Sequence, residues 1–216
     1  MELHNIAQTN SIANHFLMEM RNVAIQKDRL RFRKNMKRLG SLIAYEFSKT
    51  LTYAGQSIRT PLAATTAQLY TNDLYLVTVL RAGLPFYEGI LDIFDQVDSG
   101  FVGAYRQEGS QTGEIALNYL AADSLEGKEL ILADPMLATG NSLITACDAL
   151  FKTYGKPAGV HIMSAVGTQV AVDNLSEKIG LPLSVWVGAI DDTLNDQAYI
   201  VPGLGDAGDL SYGSKL

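Results

Sequence analysis

The sequence predicts an α/β fold built on a mostly parallel, twisted sheet flanked by helices. Three observations predict it. From residue 74 onward, short unbroken apolar runs recur, as expected of strands buried on both faces. Segments of helix length and amphipathic spacing separate these runs, and strand alternating with helix is the pattern of a parallel sheet. The last two of these segments run into glycines, Gly155 and Gly180, where helices commonly stop.

Residues 1–50 read as helical. Phe32, Met36, Leu39, Ile43 and Phe47 recur at spacings of four, three, four and four, one apolar stripe of a helix over residues 28–48. The run KDRLRFRKNMKR, residues 27–38, holds seven of the seventeen basic residues, with Arg29, Arg33 and Lys37 on another side. It reads as a solvated face, with a phosphate-facing or subunit-facing role as the alternative. The N-terminal helices are expected to cap the sheet or to build a dimer contact.

The strands follow as LYLVTVL (74–80), FVGAYR (101–106), ELILAD (129–134), GVHIMSAV (159–166) and LSVWVGAI (183–190). GLPFYEGILDIF, GNSLITACDALFKTYG and TQVAVDNLSEKIG supply helices between them. The stretch RQEGSQTGEIALNYL (106–120) is polar with two glycines and then alternates, which reads as a mobile loop or hairpin arm. The tail, residues 191–216, is rich in Gly and Asp and has no helical period, but its apolar AYIVPGL argues that it is ordered. The whole, residues 1–216, is expected to form one domain. Ligands of such a sheet bind outside the carboxyl ends of the strands. The loops after residues 80, 105, 134, 166 and 190 are therefore the expected site.

Composition narrows the function classes. A net charge of −6 argues against a general nucleic-acid binder. A single cysteine, Cys147, excludes an internal disulfide and fits a reducing compartment. No leader pattern and no run of 18 apolar residues is visible, so a cytoplasmic protein without a membrane segment is expected. His4, His15 and His161 are scattered and form no metal-ligand cluster with the cysteine. His161, Cys147 and Trp186 read as structural residues.

The most informative stretch is ILADPMLATGNSL, residues 131–143. A strand end is followed by Asp134, then by the small and polar Ala138, Thr139, Gly140, Asn141 and Ser142 before a helix. Small side chains let an anion approach backbone N–H groups, and the helix N-terminus adds its positive dipole end. This suits a phosphate monoester. No Walker lysine is present, so a nucleoside triphosphate loop is excluded. Asp134 would repel a phosphate directly but could accept from the hydroxyls of an intervening ribose. The alternatives are a simple βα turn capped by Ser or Asn, and a carboxylate supporting the helix dipole. Arg81 in LRAG and Arg106 both end strands, and two arginines at one sheet edge suit a more highly charged oxyanion. Taken separately, each could be a surface ion-pair partner. Asp191 and Asp192 stand at the same edge and could order the tail or attract a metal.

LRAGLPFYEGIL, LADPMLATGNS and AIDDTLNDQAYIVPGLGDAGD resemble the uracil phosphoribosyltransferases, from about Arg21 to the C-terminus. The last motif is the most specific; family members carry a run similar to LNEHGYIVPGLGDAGD. The resemblance implies a type I phosphoribosyltransferase fold with a C-terminal base-binding loop. It implies the conversion of uracil and phosphoribosyl pyrophosphate to UMP and pyrophosphate, with Mg²⁺. Carried over by position, Arg81 and Arg106 look like the pyrophosphate contacts. Asp134, Pro135, Met136, Leu137, Ala138, Thr139, Gly140, Asn141 and Ser142 look like the phosphoribosyl loop. Ile200, Gly205, Asp206 and Ala207 look like the uracil-binding segment, with Asp206 also facing the donor or its metal. Such enzymes commonly form dimers or higher assemblies.

Several positions depart from the family pattern. Its usual ATGGS is ATGNS here, with Asn141 as a residue that tolerates left-handed backbone. GDAGDR is GDAGDL, which removes a positive charge at Leu210, and Ala198 stands where a glycine is usual. The loop after Arg106 also differs. These departures motivate two further readings, a phosphoribosyltransferase for another base and a non-catalytic regulator that binds UMP or the donor.

Overall fold

The computed structural model describes residues 1–106 and 115–214, with the side chains of 104–106 and 115–116 excepted. The tip of the 106–120 arm lies outside the described residues.

In chain order the elements are β1 (Glu2–Asn5), a 3-10 turn (Ile6–Gln8), α1 (Ile12–Arg21), α2 (Arg29–Ser48), β2 (Tyr53–Arg59), β3 (Ala64–Tyr70) and β4 (Leu74–Leu80). They continue with α3 (Leu84–Leu91), β5 (Asp98–Arg106), β6 (Ile115–Ala121), β7 (Glu129–Ala133), β8 (Met136–Leu137), α4 (Asn141–Tyr154) and β9 (Gly159–Thr168). The chain closes with α5 (Gln169–Lys178), β10 (Leu183–Asp191), β11 (Thr193–Leu194), β12 (Ile200–Val201) and α6 (Ala207–Tyr212).

The main sheet runs β1-β10-β9-β7-β4-β5-β6, and the short β8 pairs with β9. Every pairing in it is parallel except β5 with β6, which form the expected hairpin arm. From β4 the chain proceeds outward to β5 and β6; from β7 it proceeds the other way to β9 and β10. The order therefore reverses between β4 and β7, and a crevice opens at the carboxyl ends of strands at such a point.

One apolar layer packs α1, α2 and α3 against one sheet face, through residues such as Phe32, Met36, Leu39, Ile43, Phe47, Phe86 and Ile90. The stripe expected on α2 is buried along its full length. The opposite layer holds α4 and α5 through Leu143, Cys147, Leu150, Val172 and Leu175. Cys147 is core packing, and burial pushes its thiol up to about 12. Trp186 is buried, with its indole N–H donated to Ser184 Oγ at 2.9 Å. His161 bonds Ser184 Oγ at 2.7 Å and Glu129 at 3.3 Å, and burial holds its pKa below the ordinary value although Glu129 opposes this. Its structural reading stands.

Four expectations change. Helix α5 ends at Lys178 with Ile179 as its C-cap, so Gly180 is not the stop; Gly155 does cap α4, at φ 89°. LYLVTVL is not the first strand, because β1 precedes it and pairs in parallel with β10. A further hairpin, β2–β3, occupies residues 53–70 and is nearly all exposed. The tail is not devoid of helix, since α6 forms after the β11–β12 pair. The basic run also does more than face solvent. Arg31 pairs with Glu19 at 3.0 Å, Lys37 with Asp92 at 3.0 Å, and Arg33 donates to the Ser211 carbonyl at 2.6 Å.

Candidate active site

A cleft of about 410 Å³ opens where the sheet order reverses. Residues from three segments line it: 79–82 at the end of β4, part of 134–143 after β7, and part of 198–208 in the tail.

The β4 and β7 ends are locked together by Thr78, whose buried hydroxyl donates to the Ala133 carbonyl at 2.9 Å. Asp134 then sits on the cleft floor. Its accessible surface is only partial and the surrounding atoms are dense, so burial pushes its carboxyl up to about 6 from an ordinary 3.8. One backbone N–H, from Met136 at 3.1 Å, opposes the shift. The 134–142 segment is not all loop, since Met136–Leu137 adds a short parallel strand beside β9.

Gly140 is the N-cap of α4, with φ 79° and no side-chain cap bond. A Cβ there would also stand 3.2 Å from the Ala171 carbonyl oxygen. Glycine is therefore favoured by the backbone angle, and a Cβ would also crowd that oxygen. Neither Ser142 nor Asn141 serves as the cap; Thr139 Oγ1 accepts the Asn141 N–H at 3.4 Å, and among the described residues no side chain accepts from the Ser142 or Leu143 N–H. That is the arrangement that receives an external anion. Asn141 occupies the first helical position and has no positive φ, so the left-handed backbone considered for it belongs to Gly140. From behind, Thr168 Oγ1 donates to the Ala138 carbonyl at 2.6 Å and Asn174 to the Thr139 carbonyl at 3.0 Å.

Across the cleft, Asn195 shapes a tight turn. Its Oδ1 accepts from the Gln197 and Tyr199 N–H groups, and the turn leaves Ala198 at φ 59°. Ile200 is buried beneath the turn. Gly205 follows at φ 92°, and Asp206 caps α6 by accepting the Asp209 N–H at 2.9 Å. Asp191 orders this tail, because its carboxylate accepts the Gly203 N–H at 3.0 Å.

The cleft thus gathers Arg81, Asp134, Met136, Leu137, Ala138, Thr139, Gly140, Ser142, Ile200, Gly205, Asp206 and Ala207. Pro135 lies behind its wall and accepts the Val166 N–H at 3.1 Å, and Asn141 is not in the lining. Arg106 ends β5, but its side chain lies outside the described residues. The loop after β9 supports the cleft through Thr168 and does not line it.

The family model for uracil phosphoribosyltransferase matches residues 7–214. The chain belongs to the uracil phosphoribosyltransferase family. The uracil phosphoribosyltransferase of Porphyromonas gingivalis is 44% identical over 217 residues, covering all of both chains. That of Methanothermobacter thermautotrophicus is 35% identical over 184 residues, 84% of this chain and 83% of its own. Among solved structures, the AQ2163 protein from Aquifex aeolicus superposes with a TM-score of 0.87 at 30% identity, covering 99% of each chain. In this member of the uracil phosphoribosyltransferase family, Leu210 packs partly buried against the first apolar layer.

Spacing gave no signal for Thr78, Thr168, Asn174 or Asn195, whose bonds reach backbone carbonyls and amides rather than a motif partner. Among the described residues, no group of three or more His, Cys, Asp and Glu could hold a metal ion.

Proposed function

We propose that the cleft transfers the phosphoribosyl group of phosphoribosyl pyrophosphate to N1 of uracil, giving UMP and pyrophosphate. The carrying observation is that two unlike surfaces face each other across one cavity. One is the N-terminus of α4 near Asp134, where no described side chain accepts from the Ser142 and Leu143 N–H groups; the other is a backbone-rich tail opened by Gly205.

In this reading the 138–142 turn holds the 5′-phosphate and Asp134 holds the ribose hydroxyls. The tail from Ile200 to Ala207 presents backbone donors and acceptors to the edge of uracil. The N1–C1 bond forms as the C1–O bond to pyrophosphate breaks; the bonding pair leaves with pyrophosphate, which also takes up the proton that N1 gives up. Arg81 and Arg106 meet the departing pyrophosphate, whose charge grows in the transition state. Holding N1 against C1 supplies much of the rate.

Magnesium fits as an ion carried on the donor's phosphates, because the cleft offers the single carboxylates of Asp134 and Asp206 and no protein cage. When bound there it would neutralise charge on the leaving group, with Asp206 as the residue that would hold it. A homodimer or higher assembly is supported by the exposed Ile58, Leu62 and Leu69 of the β2–β3 hairpin. A cytoplasmic location is supported by the lone buried cysteine. No described helix is long and apolar enough to cross a membrane.

UMP should form only when uracil, donor and Mg²⁺ are all present, as followed by chromatography of the products. A purified chain that turns over another base, or none, would reject this reading.

A further inference from the structure

The N-terminal segment reaches the tail just before the residues that enter the cleft. Arg21, the last residue of α1, donates to both oxygens of Asp191 at 2.8 Å and to the Gly203 carbonyl at 3.1 Å. Asp191 in turn accepts the Gly203 N–H at 3.0 Å. One ion pair therefore fixes both polar groups of the Gly203 backbone. A few residues on, Gln26 donates to the Leu204 carbonyl at 3.0 Å and to the Met20 carbonyl at 2.7 Å. Two successive tail carbonyls are thus tied to side chains more than 170 positions away. The next residues are Gly205, Asp206 and Ala207, which line the cleft.

The Asp191 side chain is only 6% exposed and that of Arg21 22%, so little solvent screens the pair. Gly203 itself has φ 56°, with Ile200 closely packed where a Cβ would be. The segment therefore has little freedom to keep its course without these bonds. Uracil, met by backbone groups, is recognised only as accurately as that backbone is placed.

We propose that Arg21 and Gln26 are positioning residues of the base pocket, which hold the 203–207 backbone in register for uracil from outside the cleft. This rests on the uracil reading of the cleft. It separates the two substrates, because the phosphoribosyl side is built by β7, α4 and α5, whereas the bonds of Arg21 and Gln26 go to Asp191, Gly203, Leu204 and Met20.

The test uses the full chain with Gln26→Leu and Arg21→Lys. Lysine keeps the charge but cannot span two carboxylate oxygens and a carbonyl as a planar fork does. Each variant should raise the uracil KM by about fivefold or more, with kcat and donor KM held within about twofold. Arg21→Met should exceed Arg21→Lys. An unchanged uracil KM, or a donor KM that rises in parallel, overturns the proposal. Amide hydrogen exchange supplies a readout that does not depend on turnover. Residues 203–207 should exchange faster in both variants, while α5 does not change. Unaltered exchange at 203–207 overturns the clamp, whereas absent wild-type turnover overturns only the function reading on which the substrate assignment rests.

Discussion

The Arg81 guanidinium lies 3.5 Å from the Asp209 carboxylate and donates to the Gly213 carbonyl at 3.3 Å. The arginine assigned to the departing pyrophosphate is thus held by α6, the helix that follows the base-facing tail. To meet pyrophosphate it must leave these partners. Asp209→Ala should therefore lower the donor KM, by about two- to fivefold, since an exposed pair contributes only ~0.2–1 kcal/mol. Steady-state kinetics at low and high salt checks this, and the gain should shrink as salt rises.

Asp134 couples function to stability. Its folded pKa stands above its unfolded one, so the folded state binds the extra proton. Any stability it contributes is complete below pH 3.8 and is lost as pH rises through about 6, where the buried carboxylate ionises. Asp134→Asn should stabilise the ligand-free protein above pH 6 by about 1–3 kcal/mol, while reducing kcat/KM for the donor. Melting curves from pH 4 to 8 should converge at the acid end. A variant less stable than wild type at pH 8 would show that the carboxylate is satisfied where it stands.

Ala198 is the one described non-glycine residue with positive φ, at 59°. An L side chain there costs roughly 1–2 kcal/mol. Ala198→Gly recovers part of this against the entropy of a freer unfolded chain, so a net gain of about 0.5–1 kcal/mol is expected in denaturant unfolding.

Gly140→Ala and Asn141→Gly should behave oppositely although they are adjacent. The first puts a Cβ at φ 79° and 3.2 Å from the Ala171 oxygen; it should cost about 1–3 kcal/mol and sharply raise the donor KM. The second restores the family's usual residue at a position that needs no special backbone. It should change the donor KM by less than about threefold. Thermal melts and donor titrations on the pair decide between them.

Four of the five central strands, β4, β7, β9 and β10, were legible because burial on both faces leaves a continuous apolar run, whereas only the FVGAYR part of β5 was, its start at Asp98 and Ser99 being exposed. The 133–142 turn was legible because small residues and a helix start are local signals. β1 was not, since ELHN is an edge strand whose character comes from β10 beside it. The β2–β3 hairpin is exposed along its length, so no burial pattern marks TYAGQSIR or ATTAQLY. Helix α6 is too short, at six residues, to show a period, and Asp206 caps it rather than waiting free in the cleft. Asp191 was foreseen as a possible organiser of the tail, but its partner Arg21 was not, because an ion pair across 170 positions leaves no mark in spacing.

The chain has one tryptophan, and Trp186 lies under β1 with the His4 ring stacked on it at 3.7 Å. Five positions along β10 take the strand from it to Asp191 at the cleft end, roughly 16 Å of extended strand. Its fluorescence is therefore a gauge of whether the N-terminal strand is docked and the sheet intact. Substrate titrations followed by that emission will be nearly silent, and an optical probe for ligand binding has to be introduced near Tyr199.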